Sequence, residues 1–177
     1  MRKFLFLFVV VISLQLLLSG CSNQTTVEGA LKEVNIEIEK IYSVVCYNNI
    51  SIAFYKDKKS GHQTVGLFNT EKEKLSFIKQ QDLQLNVNVF EDITFTALFQ
   101  DKGQNSTEFC FQFGTINNPQ IDKIKLHMTD PNNFGDRFAE IIELDGLRVW
   151  YTFLDVSRMF NIQQGISKDG KVVYSNI

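Results

Sequence analysis

The sequence predicts a mainly β protein: an antiparallel β-sandwich or two small packed sheets, with a short N-terminal helix. Three observations carry that expectation. Apolar residues alternate with polar ones along much of the chain, small polar turns punctuate them at short intervals, and only two prolines occur in 177 residues. Alternation at period two describes a pleated, half-buried strand. About ten such strands at regular spacing describe packed sheets.

The elements follow in order. Val27, Ala30, Leu31, Val34, Ile38 and Ile41 recur at helical spacing, with Thr26 as N-cap. Val34, Ile36 and Ile38 also alternate with Asn35, Glu37 and Glu39, so the spacing predicts a helix from about Thr26 to Val34 passing into a strand. Asn48-Asn49 joins YSVVCY to ISIAFY, which puts Ile41, Val45, Tyr47, Ile50, Ile52 and Phe54 on one face. TVGLF and KLSFI flank the charged turn TEKEK. Leu83, Leu85, Val87 and Val89 alternate with Gln84, Asn86 and Asn88, and the pattern continues through Ile93, Phe95, Ala97 and Phe99. It returns at Phe109, Phe111 and Phe113. The prolines, Pro119 and Pro131, each sit beside asparagine in turn-like stretches.

Asp145-Gly146 is the strongest hairpin signal, because a type I′ turn needs positive φ at both central residues. A two-residue loop pairs Leu144 with Leu147, Glu143 with Arg148, Ile142 with Val149 and Ile141 with Trp150. One face then carries Phe138, Ile142, Leu144, Leu147, Val149, Tyr151 and Phe153, interrupted by Glu140, and is expected to be core. The other carries Ile141, Glu143, Arg148, Trp150 and Thr152. Asp169-Gly170 joins a further pair ending in KVVY.

The N-terminus has a different character. Arg2 and Lys3 precede a run from Phe4 to Leu18 that only Ser13 and Gln15 interrupt. A positive start, a short apolar core and small residues at its end describe a secretory signal peptide. A membrane-spanning helix would need roughly 20 apolar residues, and this run is shorter. Leu18-Ser19-Gly20-Cys21 resembles the lipobox of bacterial lipoproteins. That resemblance implies cleavage before Cys21 and a diacylglyceryl group on its thiol, with palmitate-type chains holding the protein to the cell membrane on its extracytoplasmic face. Two acyl chains anchor stably where one binds only reversibly. Residue 22 is serine rather than aspartate, so the inner-membrane retention signal of two-membrane bacteria is absent. The segments GTINNPQIDKIKL, LRVWYTFLD and SKDGKVVYSNI look like those of uncharacterised small lipoproteins of Bacillus-type bacteria, a resemblance that brings no activity with it.

The expected organisation is a signal peptide over 1–20, a tether over 21–26 and one mostly-β domain over 27–177. The polar stretch 100–106 (QDKGQNS) is a point of subdivision. Removal of residues 1–20 leaves 157, the size of a domain that sustains its own core. Loss of Arg2 and Lys3 moves the net charge from −2 to −4. That charge disfavours nucleic acid as a partner, since it offers no basic field for phosphates.

Candidate chemistry is sparse. His62 and His127 stand apart without metal-ligand spacing, so no metal or other cofactor is expected. The stretch Asp130 to Asp136 is oxygen-rich, but Phe134 takes a ligand position of a calcium loop and no glutamate closes it. No G-x-S-x-G elbow occurs. Cys46 and Cys110 form an even pair in an exported chain, so a disulfide and two free thiols are both open readings. Arg148 and Trp150, on the less apolar face of the hairpin, are the candidate binding pair if that face is open, because arginine and aromatic side chains dominate recognition surfaces. If a second sheet, the helix or a loop covers it, Trp150 is core instead. The expected function is a non-catalytic binding or accessory module of the cell envelope, with an envelope protein or wall component as partner. The alternative is a wall hydrolase drawing on acidic residues such as Glu140, Glu143 and Asp145, although strand alternation puts the two glutamates on opposite faces.

Overall fold

Asp145 and Gly146 take φ of 50° and 86°. The two positive values are those of a type I′ turn, whose twist suits the strands it joins. They set the register that the sequence predicts, with Leu144 opposite Leu147, Glu143 opposite Arg148, Ile142 opposite Val149 and Ile141 opposite Trp150. The computed structural model describes residues 26–71, 74–83, 91–101, 107–128, 135–154 and 160–175. The signal peptide, Cys21, most of the strand expected over 83–89, the 102–106 stretch and the oxygen-rich turn at 129–134 lie outside the described residues.

Among the described residues, one helix, α1 (Val27–Glu33), precedes twelve strands. Thr26 caps it, its Oγ1 accepting from the Gly29 N–H at 3.1 Å, which satisfies one of the orphan donors of the first turn. The helix ends one residue earlier than the spacing predicts. Val34 is its C-cap, and Asn35 turns the chain at φ 59°. Asparagine tolerates this left-handed conformation better than most residues.

The strands form three antiparallel sheets. The first is a meander of β1 (Ile38–Tyr47), β2 (Ile50–Asp57), β3 (Gln63–Glu71) and β4 (Lys74–Asp82) in sequence order. After β5 (Thr96–Asp101), β6 (Thr107–Thr115), β7 (Lys123–Met128), β8 (Asp136–Phe138), β9 (Glu140–Leu144) and β10 (Leu147–Leu154), the chain ends with β11 (Phe160–Ile166) and β12 (Val172–Ser175). The second sheet has the order β5-β6-β10-β9 and the third β12-β11-β7-β8.

Three clusters of buried side chains define the layers. Ile52, Phe54, Val65 and Leu67 of the first sheet meet Phe111, Phe113, Leu144 and Val149 of the second. On the second sheet's other face, Cys110 and Trp150 meet Ile124 and Leu126 of the third. Val27, Ala30 and Leu31 of α1 cover Ala53, Tyr55 and Phe68 on the outer face of the first sheet. The order is therefore helix, first sheet, second sheet, third sheet. The protein is mainly β and sandwich-like, and the middle sheet is shared between two sandwiches.

This layering explains one departure from the sequence reading and decides one question that it left open. Phe138, expected in the core face of the hairpin, is 54% exposed. It belongs to β8 of the third sheet, and Ala139, whose N–H donates to the Ile124 carbonyl at 2.9 Å, carries the chain across to β9. The face that holds Ile141 and Trp150 is the second core of the molecule.

Candidate functional site

Trp150 and Arg148 lie on the same face of β10, two residues apart, and the third sheet treats them differently. Trp150 is fully buried. Its Nε1 donates to the Thr94 carbonyl at 3.0 Å, and its ring lies 6.2 Å from that of Phe95. Its cross-strand neighbour is Gly114. A Cβ there would come within 1.8 Å of the Thr94 oxygen and 2.7 Å of the indole nitrogen, so only glycine admits the indole and the Thr94 backbone together. The candidate binding role of Trp150 is corrected accordingly. The third sheet and the Thr94 backbone cover it, and it offers no surface to a partner.

Arg148 sits nearer the turn, at the margin of that cover, and is only half-buried. Its cross-strand neighbour is Glu143, yet its guanidinium donates to the Ile121 carbonyl at 2.6 Å. It thereby lines a cleft of about 710 Å³ between the loop at Pro119–Asp122 and the turn at Ser167–Lys171. Ile121 and Val173 supply apolar wall, while Lys168, Lys171, Asp122 and Asp169 supply charge. Backbone hydrogen bonds tie the first loop to the end of β11 and close the turn on itself. Asp122 N–H donates to the Ile166 carbonyl at 2.8 Å, and Ser167 and Lys171 are joined by a 2.9 Å bond from the Ser167 N–H. Asp169 receives Lys171 at 2.7 Å and the Ser167 hydroxyl at 2.5 Å. Those two donors hold its carboxyl below the usual carboxylate range.

A second concavity, of about 520 Å³, lies where β1, β8 and β10 approach one another. Tyr47 and Phe153 stack there with ring centroids 5.2 Å apart. Arg137 donates to the Phe153 carbonyl at 3.2 Å, and the exposed Phe138 ring lies beside it.

Cys46 and Cys110 are both free. Cys46 is exposed, its Sγ 3.4 Å from the Ser51 hydroxyl. Cys110 is buried between the second and third sheets, where desolvation pushes its thiol up to about 11. Of the two open readings, this placement selects the free thiols over the disulfide. Stacked sheets are about 10 Å apart, and a disulfide needs Cα atoms within about 7 Å.

The acidic residues are dispersed. Glu143 is exposed opposite Arg148, and Glu140 borders the second concavity. Asp145 is held by Lys40 Nζ at 2.9 Å and by the Tyr42 hydroxyl at 2.5 Å, a clamp between β1 and the β9–β10 turn. These donors lower the Asp145 carboxyl. Desolvation, followed by the hydrogen bond and charge of Asp145, raises the Tyr42 phenol to about 12. His62 meets Asp82 at 2.5 Å, and His127 meets Asp136 at 2.9 Å. Among the described residues no three His, Cys, Asp or Glu side chains are placed to share a metal ion. No described helix is long and apolar enough to cross a membrane.

No protein-family model, curated protein or solved structure matches this chain. The functional reading rests on the residues themselves.

Proposed function

We propose that this protein is a lipid-anchored extracytoplasmic protein of the bacterial cell envelope. Its β domain serves as a non-catalytic binding or accessory module for an envelope protein or wall component. The observation that carries the reading is Leu18-Ser19-Gly20-Cys21 at the end of an apolar run that begins after Arg2-Lys3. The domain fits such an anchor. Thr26, which caps α1, is five residues beyond Cys21, and five extended residues span at most about 18 Å. The cap would be held close to the bilayer. The surface carboxylates Asp136, Asp145 and Asp169 each bind a lysine, an arrangement suited to bracing turns and strands rather than to proton transfer.

Changing Cys21→Ala in the full chain tests the anchor. The variant is expected to leave the membrane fraction or to accumulate as an unprocessed precursor, with the mass of the acyl groups missing. Retention on the membrane at wild-type mass would overturn the reading.

A further inference from the structure

The cleft beside Arg148 differs in charge from the rest of the chain. The protein as a whole carries a formal charge of −2, whereas three cations and two carboxylates line this cleft. One of those carboxylates, Asp169, already holds Lys171 at 2.7 Å. That leaves Arg148, Lys168 and Asp122 as the charges facing the space. Lys168 projects from the β11–β12 turn with no partner among the described residues. Arg148 spends one Nη on the Ile121 carbonyl, and a guanidinium has five N–H donors in all. The bond to Ile121 fixes the planar group and leaves donors for an oxyanion, the geometry in which arginine recognises phosphate and carboxylate.

We propose that this cleft binds a phosphate ester of a polyol or sugar, with Arg148 and Lys168 on the phosphate and Asp122 accepting from a hydroxyl. Arg148, Lys168 and Asp122 together carry +1, so the selection lies in the oxyanion's contacts. A phosphate monoester offers the two cations three acceptor oxygens and about −1.5 to −2 of charge at neutral pH, whereas a carboxylate offers two oxygens and a single charge. Size selects an ester over the bare ion. A volume of about 710 Å³ falls within the range of small-molecule sites, roughly 300–1,000 Å³, and an inorganic phosphate would occupy a small part of it. Ile121 and Val173 give the carbon skeleton an apolar wall, and Asp122 gives its hydroxyls an acceptor. The loops are pre-formed by the backbone bonds from Asp122 to Ile166 and from Ser167 to Lys171, so binding orders few residues. The inference gives a ligand class to the module proposed above. It rests on that reading only in taking the cleft as a binding site rather than a catalytic one.

Calorimetric titration of the full chain in detergent with glycerol 3-phosphate tests the site, with glycerol, acetate and inorganic phosphate titrated in parallel. Glycerol 3-phosphate is expected to bind, to bind more tightly than the other three, and to weaken with added salt. Lys168 is exposed, so Lys168→Glu should keep the wild-type thermal midpoint and lose about tenfold or more in affinity. Arg148→Gln should lose at least as much, and its thermal midpoint, read alongside, shows what the Ile121 bond contributes to the fold. Three results would overturn the proposal: no binding up to about 10 mM, an unchanged affinity in Lys168→Glu, or inorganic phosphate binding as tightly as the ester. The titration does not depend on how the chain is anchored, so its failure is distinct from that of the Cys21→Ala test.

Discussion

Replacing Trp150 by alanine removes the largest fully buried side chain in the second core. The residue is 0% exposed and packs among Cys110, Ile124 and Leu126. Truncating a buried tryptophan costs about 3–5 kcal/mol, because transfer free energy is lost and the cavity relaxes only in part. The hydrogen bond to Thr94 is lost as well, and that carbonyl belongs to a residue only 3% exposed. Leaving a buried acceptor unpaired costs roughly 1–3 kcal/mol, although water entering the cavity would recover part of it. Trp150→Phe separates most of the two effects, since it keeps the larger part of the apolar volume while it removes the donor. The expected order is wild type, then Trp150→Phe lower by about 1–3 kcal/mol, then Trp150→Ala lower by at least about 3 kcal/mol. Against a typical total of 5–15 kcal/mol, the alanine variant should be visibly marginal. Urea unfolding followed by far-ultraviolet circular dichroism measures all three, because both variants lack the only tryptophan. The native protein should show the blue-shifted emission of a buried indole. A loss below about 1 kcal/mol for Trp150→Ala, with solvent-like emission in the wild type, would refute the three-sheet stacking from which the argument starts.

Two further perturbations probe polar groups. Gln112 is fully buried on the face of β6 toward the third sheet, and its side-chain amide nitrogen and oxygen have no hydrogen-bond partner among the described residues. Its neighbours across the strands are Ala97 and Thr152. Gln112→Leu should therefore stabilise the protein, by about 1–3 kcal/mol if the whole desolvation penalty is relieved; a destabilised variant in urea unfolding would show that the amide is satisfied. The Asp145 carboxyl has a folded pKa below its unfolded value, so its contribution is present above the ordinary carboxylate range and is lost as pH falls through the lowered folded value. The stability gap between wild type and Asp145→Asn should accordingly be widest near neutral pH and close in acid. A gap independent of pH would mean that Lys40 and Tyr42 do not distinguish the charged group.

The hairpin was legible because a two-residue loop leaves one register, and alternation then assigns every side chain to a face. What alternation cannot supply is the number of layers. In β10, Val149, Tyr151 and Phe153 point to the first sheet while Trp150 points to the third. A strand carrying large apolar residues in both phases is the mark of a sheet covered on both sides, and LRVWYTF carries it. That signal is weak here because Arg148 and Thr152 share the phase of Trp150 and make the face read as half-polar. The cover comes from Ile124 and Leu126 of β7, which is remote in sequence, and from the Thr94 backbone seated on Gly114. A glycine inside a strand announces a close approach, without saying which segment approaches.

The same geometry explains why Arg148 remained a candidate where Trp150 did not. Both project toward the third sheet, but the cover over Trp150 continues only as far as the Ile121 backbone, and Arg148 ends against that carbonyl. Periodicity assigned the two residues one environment because it records direction and not distance from the edge of a layer. Lys168 was invisible for a related reason. It lies in a turn chosen for the conformation of Asp169-Gly170, and nothing in SKDGKVVY reveals that the turn closes over a strand twenty residues earlier. The β9–β10 hairpin fixes where Arg148 starts, the Pro119–Asp122 loop fixes where its guanidinium ends, and the β11–β12 turn brings Lys168 to the same space. A recognition site assembled from three such segments becomes readable only once the third sheet is in place.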